Sequence, residues 1–172
     1  MQLKAIDLGL MSEHLNVHKG VIKKLKTYYC AAKNPSLKQI MYEQILIMSN
    51  HVGVMINLID PAHNDSVTVS ALNQLHAVEI PCNENSQHLS DKTISFEGSH
   101  IAKTMSQDNF SSALKMKTPN VKEIHLHMAL QQYKLQEKYE DFIKAMGWAH
   151  DPNASIEEQN KTVQTFKDFY HI

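Results

Sequence analysis

The sequence predicts an all-α protein: a ferritin-like four-helix bundle built from a duplicated helical hairpin, with a long 60–96 connection and an extra C-terminal helix. Three observations lead there. Apolar residues recur at three- and four-residue steps through four long stretches. The order helix, break, proline, helix occurs twice, at Asn34-Pro35 and at Thr118-Pro119. A shift of 84 residues lays one copy of that plan on the other with eight identities in 49 ungapped positions, among them Lys33 with Lys117, Pro35 with Pro119 and Ile40 with Ile124. With 172 residues, 42% hydrophobic and 20% charged, the chain suits one domain, 1–172, with hairpin repeats at 12–60 and 96–147 and a tail helix at 155–170.

The first helix is expected from about Ser12 to Lys33, where Leu15, Ile22, Leu25 and Tyr29 form a stripe and His18 fills its gap. Asn34 is a good N-cap and Pro35 loses no hydrogen bond at the first helical position, so a second helix runs to Ile59. Its two adjoining apolar seams, one through Met41, Met48 and Met55 and one through Ile40, Ile47 and Val54, predict burial on several sides. The 60–96 segment is too long for a tight turn and favours a crossover along the bundle, with a short helix within Ser66 to Val78. A more polar third helix is expected from about Ser99 to Lys115. A fourth runs from Pro119 to Met146, capped by Thr118 and closed by Gly147. Ser155-Ile156-Glu157-Glu158 is a capping-box pattern opening the tail helix, which either covers the bundle or meets a partner.

Composition excludes several functions. The 17 basic residues are all lysine, and 18 acidic residues leave a formal charge of −1. Without arginine the chain lacks the planar fork that reads guanine and clamps phosphate, so no nucleic-acid partner is expected. Apolar stretches are interrupted by Asn50, His51 and Asn57, and the N-terminal run is too short for a signal sequence, so neither membrane insertion nor export is expected. Cys30 and Cys82 lack CxxC spacing and are read as free thiols. No dinucleotide, phosphate-loop, nucleophile-elbow or HExxH motif occurs.

Histidine is the unusual component, with 11 residues. A ferritin-type di-metal centre needs a glutamate from each of two helices and a Glu-x-x-His pair from each of the others. Here Glu43 is followed by Leu46, and the single Glu-x-x-His, Glu97 to His100, starts the wrong helix. The set is absent, and no cofactor is expected. His14 and His18 are one turn apart, and His51 is about as far from the Asn34-Pro35 turn as His18, so the three could converge on zinc. The plainer expectation is that His18 and His51 bond each other or a water at the core edge, with His14 exposed and no metal held. His125 and His127 point to different helix faces and cannot chelate together.

The string from Glu13 to Leu25, then Tyr29, Pro35-Ser36-Leu37 and Met48-Ser49-Asn50-His51-Val52, resembles the first hairpin of the spore coat F family. Asp91-Lys92-Thr93-Ile94, the helix from Leu126 to Met146, and Gly147-Trp148 with Pro152 resemble its second half. The resemblance implies a non-catalytic structural or interaction protein, made in the cytoplasm and deposited in the spore coat. Its partners would be other coat proteins or a second copy in a homodimer. The alternative from a different class is a metal-binding or oxidoreductase bundle with a histidine site.

Overall fold

The computed structural model describes residues 1–82 and 89–172. Within them five α-helices form: α1 (Ala5–Ala31), α2 (Pro35–Ile59), α3 (Asp91–Lys115), α4 (Pro119–Ala145) and α5 (Ile156–Tyr170). No strand occurs among the described residues, and no helix there is long and apolar enough to cross a membrane. Two helices start earlier than periodicity suggests. α1 begins at Ala5 because Asp7, Leu10 and Met11 turn inward. α3 begins at Asp91 because Ser90 caps it, its hydroxyl accepting from the Thr93 N–H. The connection is therefore 60–90, and the expected short helix shrinks to a single 3-10 turn at Leu72–Gln74. Residues 83–88 of the connection lie outside the described residues.

The turn of each hairpin is closed by a carboxylate from the other. Asp91 accepts from the N–H groups of Lys33 and Asn34 at 2.8 and 2.9 Å. Asp7 accepts from those of Lys117 and Thr118 at the same distances and from the Thr118 hydroxyl. All three pairs, 7 with 91, 33 with 117 and 34 with 118, differ by 84. Thr118 is thus not the side-chain cap expected for α4; its hydroxyl donates to Asp7, which serves the turn instead. Asn34 does cap α2, accepting from the Ser36 and Leu37 N–H groups. Because the start of α1 meets the end of α3 and the start of α3 meets the end of α1, those helices are antiparallel. α2 and α3 therefore run the same way, and the connection must travel back along the bundle.

Contacts along its length trace that path. Asn120 donates to the Asn64 carbonyl, Gln131 to that of Ser70, and the Tyr42 hydroxyl exchanges hydrogen bonds with both backbone groups of Val78. The segment then reaches the end of α1, where Cys82 and Cys30 form a disulfide with Cα atoms 5.4 Å apart. This corrects the expectation of free thiols. The crossover, rather than any local spacing, brings together cysteines 52 residues apart in sequence.

Two apolar clusters fill the bundle. The one at the disulfide end centres on Leu25, Leu37, Met41, Ile94, Leu135 and Tyr139. The one at the other end centres on Met11, Met55, Leu58, Met116, Val121 and Met128. Tyr139 lies so close over Gly98 that a Cβ there would stand 2.6 Å from its ring, and its hydroxyl donates to Gln44 at 2.7 Å. α4 ends as expected, with Gly147 at φ +70°, and Trp148 packs edge-on against Phe142. α5 has its capping box, formed by Ser155 and Glu158, but it does not cover the bundle. Every residue from 149 to 172 is exposed.

Candidate functional site

Between the two clusters the core turns polar. His14 and His18 project from one face of α1 with rings stacked at 6.2 Å, as their four-residue spacing requires. His51 on α2 stands 6.2 Å from His18, and His125 on α4 stands 5.5 Å from His14. His18, His51 and His125 are buried, and His14 is half-buried. The rings stand in a row in the order His51, His18, His14, His125, so a histidine of the second hairpin joins the three of the first, and His14 is not exposed as the plainer expectation had it. His127 lies exposed on another face of α4.

One nitrogen of each ring is anchored. His18 Nδ1 meets the His14 carbonyl and His125 Nδ1 the Val121 carbonyl, both at 2.8 Å and both one turn back in their own helix. His51 Nε2 meets Gln131 Oε1 at 2.8 Å, and His14 Nε2 meets the Ser112 hydroxyl at 2.9 Å. Of the two partners expected for His18 and His51, each other or a water, the first does not occur; each is held by its own protein partner. A carbonyl can only accept, so His18 and His125 carry their proton on Nδ1. Gln131 donates its amide N–H to Ser70, which orients Oε1 toward His51 and puts the His51 proton on Nε2.

The other nitrogen of every ring has no partner among the described residues: His14 Nδ1, His18 Nε2, His51 Nδ1 and His125 Nε2 are all buried and meet no protein group there. Asn109 Oδ1 on α3 is in the same state, because its amide N–H donates to the Met105 carbonyl. A cavity of about 20 Å³, large enough for one water, is lined by His14, Val17, His18, Met105, Asp108 and Asn109. Burial drives the rings to the neutral form. It lowers His18 and His125 to a pKa of about 4 and His51 to about 3, with the neighbouring rings adding to the effect. His14 is lowered by burial too, against the opposing pull of Asp108 and Glu13.

In this conformation no three His, Cys, Asp or Glu side chains among the described residues stand close enough together to ligate one ion. The carboxylates that a ferritin-type centre would call on lie elsewhere. Glu97 pairs with Lys24 at 2.9 Å and Glu43 pairs with Lys138, both near the surface.

The 84-residue relation shows how unusual the cluster is. Positions 14, 18, 51 and 125 correspond to Gly98, Ala102, Leu135 and Met41, all buried at the disulfide end. The spacing of His125 and His127 alone does not place His125 in the core. Its correspondence with Met41, on a core seam of α2, is the signal that points it inward.

An all-helical bundle with a buried histidine layer and a free amphipathic helix is the class defined by fold and site. The fold is shared with the crystal structure of a protein from Bacillus halodurans C-125 described as a putative spore coat protein, with a TM-score of 0.70 over 90% of this chain and 96% of that one. Sequence identity is 13%, so the likeness is one of fold. No family model matches the chain, and no curated protein matches it in sequence.

Proposed function

We propose that this chain is a non-catalytic structural protein of the bacterial spore coat, ferritin-like in topology, that joins other coat proteins through α5. The observation carrying the reading is the state of α5. Ile156, Val163, Phe166 and Tyr170 line one side of that helix, and Phe166 and Phe169 are 55% and 71% exposed. A helix with so apolar a stripe and no cover among the described residues suits a partner's groove. The shared fold and the residues resembling the spore coat F family supply the setting. The parallel Asp7 and Asp91 clamps favour descent of the two hairpins by duplication. The surface pairing of Glu43 and Glu97 favours a structural role over an oxidative one.

The test is localisation in a sporulating Bacillus of fluorescent fusions to the full chain and to a chain lacking 155–172. The full chain is expected to form a shell around the forespore, and the truncated chain to stay diffuse while remaining folded by circular dichroism. A diffuse full-length fusion, or a shell that survives truncation, overturns the reading of α5 as the coat attachment. Light scattering of both purified forms identifies a second copy as the partner if truncation halves the mass.

A further inference from the structure

We propose that His14, His18, His51 and His125 form a binding site for one late first-row transition-metal cation of the Zn2+ class, inside the bundle and distinct from any ferritin-type carboxylate centre. The argument is one of donors and acceptors. The hydrogen bonds to the carbonyls of His14 and Val121 and to Gln131 leave bare lone pairs on His18 Nε2, His125 Nε2 and His51 Nδ1. Asn109 Oδ1 adds a fourth acceptor beside the water-sized cavity. Among the described residues no protein donor meets any of them, and buried acceptors without a partner are costly. Four buried acceptors, on His18, His51, His125 and Asn109, that face no protein donor among the described residues are completed by a Lewis acid.

The anchoring pattern agrees. Ligating histidines ordinarily donate their second N–H to a carbonyl or another acceptor, which fixes the tautomer and aims the ring. His18, His51 and His125 are each already anchored in that way. Neutral imidazole suits zinc, copper, nickel and cobalt, while hard cations prefer oxygen. A tetrahedral ion with Zn–N bonds near 2 Å holds ring centroids about 5 Å apart. Neighbouring rings in the row His51, His18, His14, His125 are 5.5 to 6.2 Å apart, so ligation requires these neighbours to draw together by about 1 Å and the row to close around the ion.

At the places that correspond by the 84-residue shift stand Gly98, Ala102, Leu135 and Met41. The same correspondence supplies variants suited to the core: His18→Ala, His51→Leu and His125→Met. The untagged protein, stripped with chelator, is titrated with Co2+ and then with Zn2+. Wild type is expected to bind one equivalent of Co2+ with the intense visible bands of a tetrahedral site, to lose them to Zn2+, and to melt at higher temperature with either ion. The triple variant should show neither the bands nor the shift, and His125→Met alone should bind at least about tenfold more weakly. His127→Ala, a surface control, should behave as wild type. Wild type without the bands overturns the proposal whatever the variants do, and so does binding that survives in the folded triple variant or disappears in His127→Ala. Should the triple variant not fold, the comparison of His125→Met with His127→Ala decides in the same way.

Discussion

The two ends of the bundle share a register but are closed and filled by different chemistry. At the disulfide end, Tyr139 settles on Gly98, Ala102 and Leu135 continue an apolar core, and the turn is closed by Asp91, which is only partly buried. The corresponding positions of the layer between the two clusters are occupied by histidine, and at the other end the closing carboxylate, Asp7, is fully buried. There, hydrogen bonds from Thr118 and from the backbone of Lys117 and Thr118 outweigh the desolvation that would raise the Asp7 pKa, and hold it below its ordinary value. The lesson is that one register is filled by small or apolar residues at 98, 102, 135 and 41 and by histidine at 14, 18, 51 and 125. Histidine there leaves buried ring nitrogens without a partner among the described residues, which a packing role alone does not explain.

Acid should separate the two ends most strongly. In metal-free protein, His18, His51 and His125 have folded pKa values of about 4, 3 and 4, below the unfolded value of about 6.5. Above that unfolded value both states are neutral and the full stability is present. As pH falls from about 6.5 toward about 4, the unfolded chain takes up protons that the folded chain refuses. Stability then drops by up to about 1.4 kcal/mol per pH unit for each histidine. Urea melts between pH 7.5 and 4.5 should show this fall, and the combined His18→Ala, His51→Leu, His125→Met variant should flatten it. A wild-type midpoint that holds constant across the range contradicts the assignment.

The disulfide comes next. It closes a span of 52 residues, for which the chain-entropy account gives about 4 kcal/mol. Cys82→Ser, compared with wild type in guanidinium unfolding without reductant, should lose up to that amount, and added reductant should bring wild type to the same midpoint. Equal stability of oxidised wild type and Cys82→Ser would show that the crossover needs no tether.

The carboxylate clamps offer the finest discrimination. Asp7→Ala strands two backbone N–H groups and a hydroxyl in a buried site, an expected cost of about 3 kcal/mol. Asp91→Ala opens its two N–H groups to water and should cost about 1 kcal/mol, in the range of an ordinary helix cap. Thermal melts of the two variants at pH 7 measure the difference, and equal losses would mean that burial does not distinguish the ends.

Much of this architecture is legible from local pattern. The Asn34-Pro35 break, Gly147 and the Ser155 capping box each act within one turn of helix, so their residues announce them directly. Helix starts are less legible, because Ala5–Met11 and Asp91–Gly98 are held by tertiary partners rather than by a continuous apolar stripe. His14, His18 and His51 could be grouped because a helical hairpin fixes how far each lies from its turn. His125 belongs to the other hairpin, and no distance along the chain relates it to α1.

The sequence by itself determined the number of long helices, the turns between hairpin partners, the amphipathic tail and the 84-residue correspondence, since all are written in spacings that one helix or one turn enforces. Only the tertiary structure decided the exchange of Asp7 and Asp91 between hairpins, the Cys30–Cys82 bridge and the entry of His125 beside His14. Each of these joins residues through the packing of one hairpin, or of the crossing segment, on another. Such contacts depend on how the hairpins dock in three dimensions, which helix periodicity leaves open.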